Sequence, residues 1–314
     1  MHFTGMSTER QYNIQWKKLF NFLQENNYLN NFKVVHVYEF FNNLIDKGYN
    51  YNSLKGIRSA IMKPLKYIFK DYDFINDNKL QTLFMYVKTH EKKEKEYFPP
   101  WSVEKVLVYL QSEDFKKLSE SDKWLQLKKE LFIIFLAAPK RIEEFSDFRI
   151  SGIKYYEDNS VLLRPHSNFQ RKNHTYDFCP RDVKIIECTE NSELCPVKAL
   201  NNYLKITEEL CKNGNKVRSD YLWLNTKLEK ATKNTLRAWI RKIIMLGDKD
   251  ANKKATNFHS IRGIAATILY KNFTLHKVVE KMQWKNSQTF KRYYYRAGVE
   301  MPSQGVIAGC SITN

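Results

Sequence analysis

The chain has 314 residues, with 52 Lys and Arg against 34 Asp and Glu, a formal charge of +18. At 43% apolar and 14% aromatic content it can bury a sizeable core, which excludes disorder as its general state. No run of about 18 apolar residues is available to span a membrane. Residues 1–10 lack the basic start and apolar block of a secretory signal. Five cysteines without a C-x-x-C pair point to reduced thiols, not to a disulfide frame or a zinc site. The positive charge is not confined to a tail: residues 1–100 hold 15 Lys and Arg against 10 Asp and Glu, and residues 101–314 hold 37 against 24. Both parts are therefore expected to be basic folded units with the phosphates of nucleic acid as partner, since each cation that meets a phosphate releases a counterion.

Residues 8–11 form a capping-box pattern, followed by Tyr12, Trp16, Leu19 and Leu23 at helical spacing. A second helix is predicted over 34–47, with Val34, Val37, Phe41 and Leu44 on one face and Gly48 as its stop. Ser53 is read as the cap of a third, whose stripe is Leu54, Ile57, Ile61, Leu65 and Ile68; Pro64 predicts a kink or break in it. A fourth covers about 77–89. The charge run 91–96, followed by Pro99 and Pro100, marks a linker at 90–99.

The second part opens with helices over 102–111 and 121–138, the latter ending in the buried-type run LFIIFLAA. The period then changes, and three short strands are predicted at 153–156, 161–164 and 176–179. Helices return at 196–210, 233–246, 259–270, 274–282 and about 287–295. The fold class is thus mainly α, an N-terminal helical domain and a mostly helical second domain with one small antiparallel sheet.

Three local patterns carry chemistry. His259 and Arg262 stand at i and i+3 on one helix face, able to present a donor and a guanidinium to one phosphate. About 30 residues on stand Tyr293-Tyr294-Tyr295-Arg296, preceded by Trp284 and Thr289-Phe290. Upstream, Arg141 and Glu144 lie between the apolar helix and the first strands. An Arg, a basic residue in a β-hairpin, H-x-x-R, Trp and Tyr in this order resemble the tyrosine recombinase (phage-integrase-like) family over nearly the whole chain. Residues 48–61 resemble its helical core-binding domain. Trp284, the T-F pair, the Tyr pair and Arg296 resemble the recombinases of eukaryotic mobile elements of the Crypton, Ngaro and DIRS types, and Cys195-Pro196 ahead of a helix fits that group.

The resemblance implies a core-binding DNA-clamp domain at 1–89, a catalytic domain at 100–296 and a tail at 297–314, expected either to exchange between neighbours or to be disordered. It makes Arg141, His259, Arg262 and Trp284 active-site residues, gives Glu144 the task of holding Arg141, and assigns the hairpin lysine to Lys172. The nucleophile is Tyr294 by the mobile-element pattern and Tyr293 by the nine-residue spacing from Trp284; Tyr294 is preferred. Consecutive residues stand about 100° apart on a helix, so one tyrosine of the three can face the phosphate. One position departs from the family pattern: Pro139 stands where a Gly commonly precedes the first Arg.

These residue types suit metal-free DNA cleavage. Guanidiniums neutralise the five-coordinate phosphate. A tyrosine hydroxyl, with a reference pKa of about 10, gains from a neighbouring His and a doubly positive pocket, and a Lys supplies a proton to the leaving 5′ oxygen. The implied intermediate is a 3′-phosphotyrosyl bond, which a second strand reverses without a nucleotide cofactor; the implied partners are double-stranded DNA and a homotetramer on two sites. No cofactor, membrane or small-molecule substrate is expected, and the location is nuclear for a eukaryotic host, otherwise cytoplasmic and DNA-associated. Three rivals stand beside this reading: a type IB topoisomerase, an inactive domesticated DNA-binding protein, and a metal nuclease using Glu143, Glu144 and Asp147. His166 and His174 flank the hairpin and read as surface histidines.

Overall fold

The computed structural model describes residues 6–91, 100–166, 169, 182–307 and 309–312, which divide into two compact units at 96/97. In the first, α1 (Met6–Glu25) begins upstream of the predicted cap at Thr8, and α2 (Val34–Asp46) follows a short 3₁₀ turn. α3 (Tyr51–Ile68) is capped by Asn50, whose Oδ1 accepts from the Ser53 N–H at 2.8 Å. Ser53 is therefore inside the helix, because an Asn three residues earlier is the cap and satisfies the Ser53 amide.

α3 also runs through Pro64 without the predicted break. The apolar stripe continues across it, with Ile61 and Leu65 both fully buried. Side chains buried this well contribute about 1.5–3 kcal/mol each, enough to offset a proline penalty of about 3 kcal/mol. Ile68, in the last turn, lies exposed and not on the core side. α4 (Asn78–His90) is capped by Asp77, and Leu19, Leu23, Val37, Phe41, Leu54, Leu80 and Phe84 form the core of this unit.

The second unit is organised on α7. α5 (Val103–Gln111) and α6 (Glu113–Ser121) precede it; α6 is absent from the predicted elements although Ser112-Glu113-Asp114 is a start signal, with Ser112 Oγ accepting from the Phe115 N–H. α7 (Lys123–Ala137) is buried nearly all round, and its Leu131, Ile134 and Phe135 are inaccessible. After α8 (Ile142–Phe145) comes an antiparallel sheet of β1 (Lys154–Tyr155), β2 (Val161–Leu163) and β3 (Val183–Ile185), with Tyr155 opposite Val161 and Val161 opposite Ile185. The predicted strand at 176–179 lies outside the described residues; the third strand that is described, only three residues long, was not predicted.

α9 (Pro196–Asn213) packs against α7, α10 (Lys233–Gly247) against α5 and α7, and α11 (Phe258–Asn272) and α12 (Leu275–Lys281) complete the scaffold. The tail forms a hairpin of β4 (Gly305–Ile307) and β5 (Cys310–Ile312) and docks on its own chain. Val306 and Ile307 enter the core, and Ser303 donates from its backbone N and Oγ to Glu104 at 2.8 and 2.6 Å. No helix among the described residues is long and apolar enough to cross a membrane.

One core residue gives a direct test of this packing. Burial pushes the Glu130 carboxyl of α7 up to about 7, against the opposing pull of Lys129 and a hydrogen bond with Asn202. A raised folded-state pKa stabilises the fold fully below the unfolded value near 4.5, and that contribution is lost as pH rises through about 7. Glu130→Gln escapes the loss, so it should gain up to about 3 kcal/mol over wild type at about pH 8.5 and little at about pH 4.5. Denaturant melts at the two pH values check this, and an equal effect at both would refute it.

Candidate active site

The site is built from the end of α7 onward. Pro139 is the centre of a tight turn, with the Lys140 N–H donating to Ala138 O at 2.7 Å. That three-residue turn needs a φ near the value a proline ring imposes, so Pro139 fits here in place of a glycine. Arg141 then caps α8, and its Nη1 donates to Glu144 Oε1 at 3.2 Å. The carboxylate is buried while 38% of the arginine side chain is exposed, which leaves the guanidinium open to a ligand on its far side.

α11 is fixed at its start by Asn257, which accepts from the Ser260 N–H, and by Trp101, whose indole donates to Ser260 Oγ at 3.1 Å. Phe258 packs tilted against Phe135 in the core. His259 keeps an open edge. Partial loss of water around its ring, and then the charges of Arg262, Arg237 and Arg141, push its pKa below the ordinary 6.5, with Glu143 opposing. One turn on, Arg262 is 2% exposed, and its Nη2 donates to Met282 O at 3.0 Å.

α12 ends in a Schellman turn: the Gln283 N–H donates to Glu280 O and the Trp284 N–H to Val279 O. Gln283 occupies its left-handed position at φ +53°. After a single α-turn (Ser287–Thr289, α13) the chain widens into a π-helical turn at Phe290–Tyr294, where the Tyr295 N–H reaches Phe290 O. A 100° step between consecutive tyrosines is thus replaced by a wider spiral, of the kind often found at functional sites.

This spiral sorts the tyrosines. Tyr294 is 8% exposed, and Tyr293 and Tyr295 are 59% and 49% exposed. Tyr294 stacks on Trp284 with centroids 4.6 Å apart, and Trp284 stacks on Phe290. The Arg262 guanidinium lies 5.4 Å from the Tyr294 ring and 5.6 Å from the Trp284 ring, and the His259 ring is 6.3 Å from Tyr294. Trp284 Nε1 is buried and has no acceptor among the described residues. Arg262, Trp284, His259 and Tyr294 therefore come together, with Arg141 close enough to act on His259. Tyr293 lies under Arg292 on the open side.

Lys172 and His174 lie outside the described residues. His166 is described, its N–H donating to Asp147 O. The three carboxylates of the nuclease reading do not converge: Glu144 is held by Arg141, Glu143 lies 3.6 Å from Lys233, and Asp147 pairs with Lys230 and Arg149. Three residues near the site were not singled out from sequence. Arg237 of α10 has no motif around it, Lys140 reads as one more surface cation, and Gln283 as a neutral residue beside Trp284.

Residues 163–299 match the phage integrase family. No curated protein matches the chain. Among solved structures, XerH site-specific recombinase bound to difH substrate in a pre-cleavage complex is similar at 17% identity and a TM-score of 0.59, over 91% of this chain and 76% of that one. A lambda integrase (residues 75–356) dimer bound to a COC′ core site is similar at 15% identity and 0.56, over 95% and 92%. A lambda integrase tetramer bound to a Holliday junction is similar at 16% identity and 0.54, over 95% and 74%. At these identities the likeness is one of fold.

Proposed function

We propose, from the tyrosine recombinase fold of this chain, that it is a site-specific DNA recombinase that cleaves and rejoins DNA through a 3′-phosphotyrosyl bond to Tyr294. The observation that carries this reading is the packed set of Arg262, Trp284 and Tyr294 beside His259. In the proposed step, Tyr294 Oη bonds to the scissile phosphorus and the P–O5′ bond breaks. The tyrosine proton passes to His259, whose lowered pKa keeps it neutral and able to accept at pH 7. Lys172 gives a proton to the departing 5′ oxygen. Arg141 and Arg262 balance charge on the non-bridging oxygens, and the buried Trp284 N–H gains an acceptor, which it lacks among the described residues. A 5′ hydroxyl from a second strand reverses the step, so the bond energy is retained and no nucleotide is consumed.

Double-stranded DNA is the substrate, and the basic helical unit 1–96 adds phosphate-binding surface to that of the catalytic unit. Assembly as a tetramer on two duplexes follows the solved tetramer on a Holliday junction, and the Trp284-to-Arg296 segment supports a place among mobile-element recombinases. A second assignment keeps Tyr293, the more accessible hydroxyl.

A nicked suicide duplex, which loses its 5′ fragment after cleavage and traps the covalent adduct, decides between them. Wild type and Tyr293→Phe should form the adduct, and Tyr294→Phe should not. The converse pattern transfers the role to Tyr293, and no adduct from wild type overturns the enzyme reading.

A further inference from the structure

Gln283 sits where a Schellman turn strongly favours glycine, at φ +53°. A non-glycine residue there is uncommon and costs on the order of 1 kcal/mol, so its side chain should contribute something in return. That side chain reaches two distant segments. Its Oε1 accepts from Lys140 Nζ, and its Nε2 donates to Asp182 O at 3.4 Å. Lys140 directly precedes Arg141. Asp182 accepts from Arg164 Nε at 2.7 Å, which joins the residue after β2 to the residue before β3. On the other side, the neighbours of Gln283 are Met282, whose carbonyl holds Arg262, and Trp284.

We propose that Gln283 is a positioning residue for strand cleavage, a side-chain bridge that holds the Arg141 turn and the Arg164–Asp182 pair in register with Arg262 and Trp284. The inference rests on the recombinase reading. It assigns Gln283 no contact with DNA; the residue acts through the groups that it ties together. A cavity of about 220 Å³, lined by Pro139, Lys140, Asp182 and Met282, adjoins the side chain. The bridge is thus polar and only partly enclosed, and its removal opens space without taking apart an apolar core.

The backbone geometry supplies a clean variant. Gln283→Gly relieves the positive φ, so its melting temperature should equal or exceed that of wild type. Lys140 is 7% exposed, and its amine should become more reactive to an acylating reagent in this variant, as read by mass spectrometry. Duplex affinity should stay within about twofold, whereas single-turnover cleavage of the suicide duplex should fall about 10- to 100-fold, the scale of a misplacement below 1 Å. Lys140→Met should show a comparable loss, and the double variant should be no slower than the slower single one, because the two side chains act as one unit.

Cleavage within threefold of wild type, or losses that multiply in the double variant, would overturn the inference even if Lys140 labelling rises. A wild type that forms no adduct overturns the recombinase reading itself, and the positioning role falls with it, whatever the labelling shows.

Discussion

Arg262→Lys is expected to slow single-turnover cleavage by about 10²- to 10³-fold, the usual effect of removing one donor aimed at developing charge. Arg262 is among the largest fully buried side chains in the protein, with one Nη on Met282 O and its plane beside two aromatic rings. A guanidinium can bond a carbonyl on one edge and still present donors to a phosphate on another, and it holds its charge when dehydrated. An ammonium is a point charge; on reaching Met282 O it abandons the phosphate, and on reaching the phosphate it leaves a buried carbonyl unsatisfied.

Arg262→Ala should be slower still, and it should also lose about 2–3 kcal/mol of stability through the unfilled space under Trp284 and Tyr294 and the orphaned carbonyl. Binding should respond differently. If the many exposed cations set duplex affinity, as the proposed function implies, the salt slope of binding should change by no more than about one unit. Gel-shift titrations at several salt concentrations, run beside the cleavage assay, separate the two effects. A proportional loss of affinity and rate would show that Arg262 is a phosphate anchor and not a transition-state group.

How far the sequence carries to this site depends on the range of the interaction. A helix with a continuous apolar stripe, such as Val34–Asp46, is legible because burial on one side imposes a period, and Lys123–Ala137 is legible from its unbroken apolar run. Arg141 with Glu144 and His259 with Arg262 are legible because each pair lies within one turn. Pro64 does not end its helix, and for a physical reason, since the penalty it imposes is local while the burial of Leu65 that offsets it depends on the rest of the unit.

The sorting of the three tyrosines is not legible either. It follows from a π turn, and the turn in turn fits how closely Gly263 and Thr267 of α11 approach it. Arg237 and Gln283 reach the site from segments whose own sequence carries no mark of it. The π turn also explains how Tyr294, given by the mobile-element pattern, comes to be the buried member of the three without a regular helix beneath it.

Gly263→Ala should cost cleavage about 10²-fold, although it is a one-carbon change in mid-helix at a residue that contacts no phosphate in the proposed mechanism. A Cβ at this position would lie 2.8 Å from the carbonyl oxygen of Tyr294 and 3.3 Å from Cζ and Nε of Arg296. The side chain of Arg296 can move aside, but a backbone carbonyl cannot move without carrying its residue. The same stretch is pinned from behind, where Thr267 Oγ1 donates to Gly263 O at 2.8 Å and accepts from the Arg296 N–H at 3.0 Å. Relief of the clash therefore has to come from retreat of the Tyr294 segment, which pulls its ring off Trp284 and its hydroxyl away from the site.

Helix propensity works in the opposite direction, since Ala is favoured over Gly by about 1 kcal/mol. Overpacking typically costs about 1–3 kcal/mol, so the net loss of stability should be small beside the loss of rate. Gly56 of α3 supplies the control, because a Cβ there meets nothing within 4 Å. Gly56→Ala should stabilise its unit by about 1 kcal/mol and leave cleavage unchanged. Melting curves and suicide-duplex trapping on the two variants test the point together. If Gly263→Ala were as active as Gly56→Ala, the close approach of α11 to Tyr294 would have no part in placing the nucleophile, and the case for Tyr294 over Tyr293 would lose its geometric support.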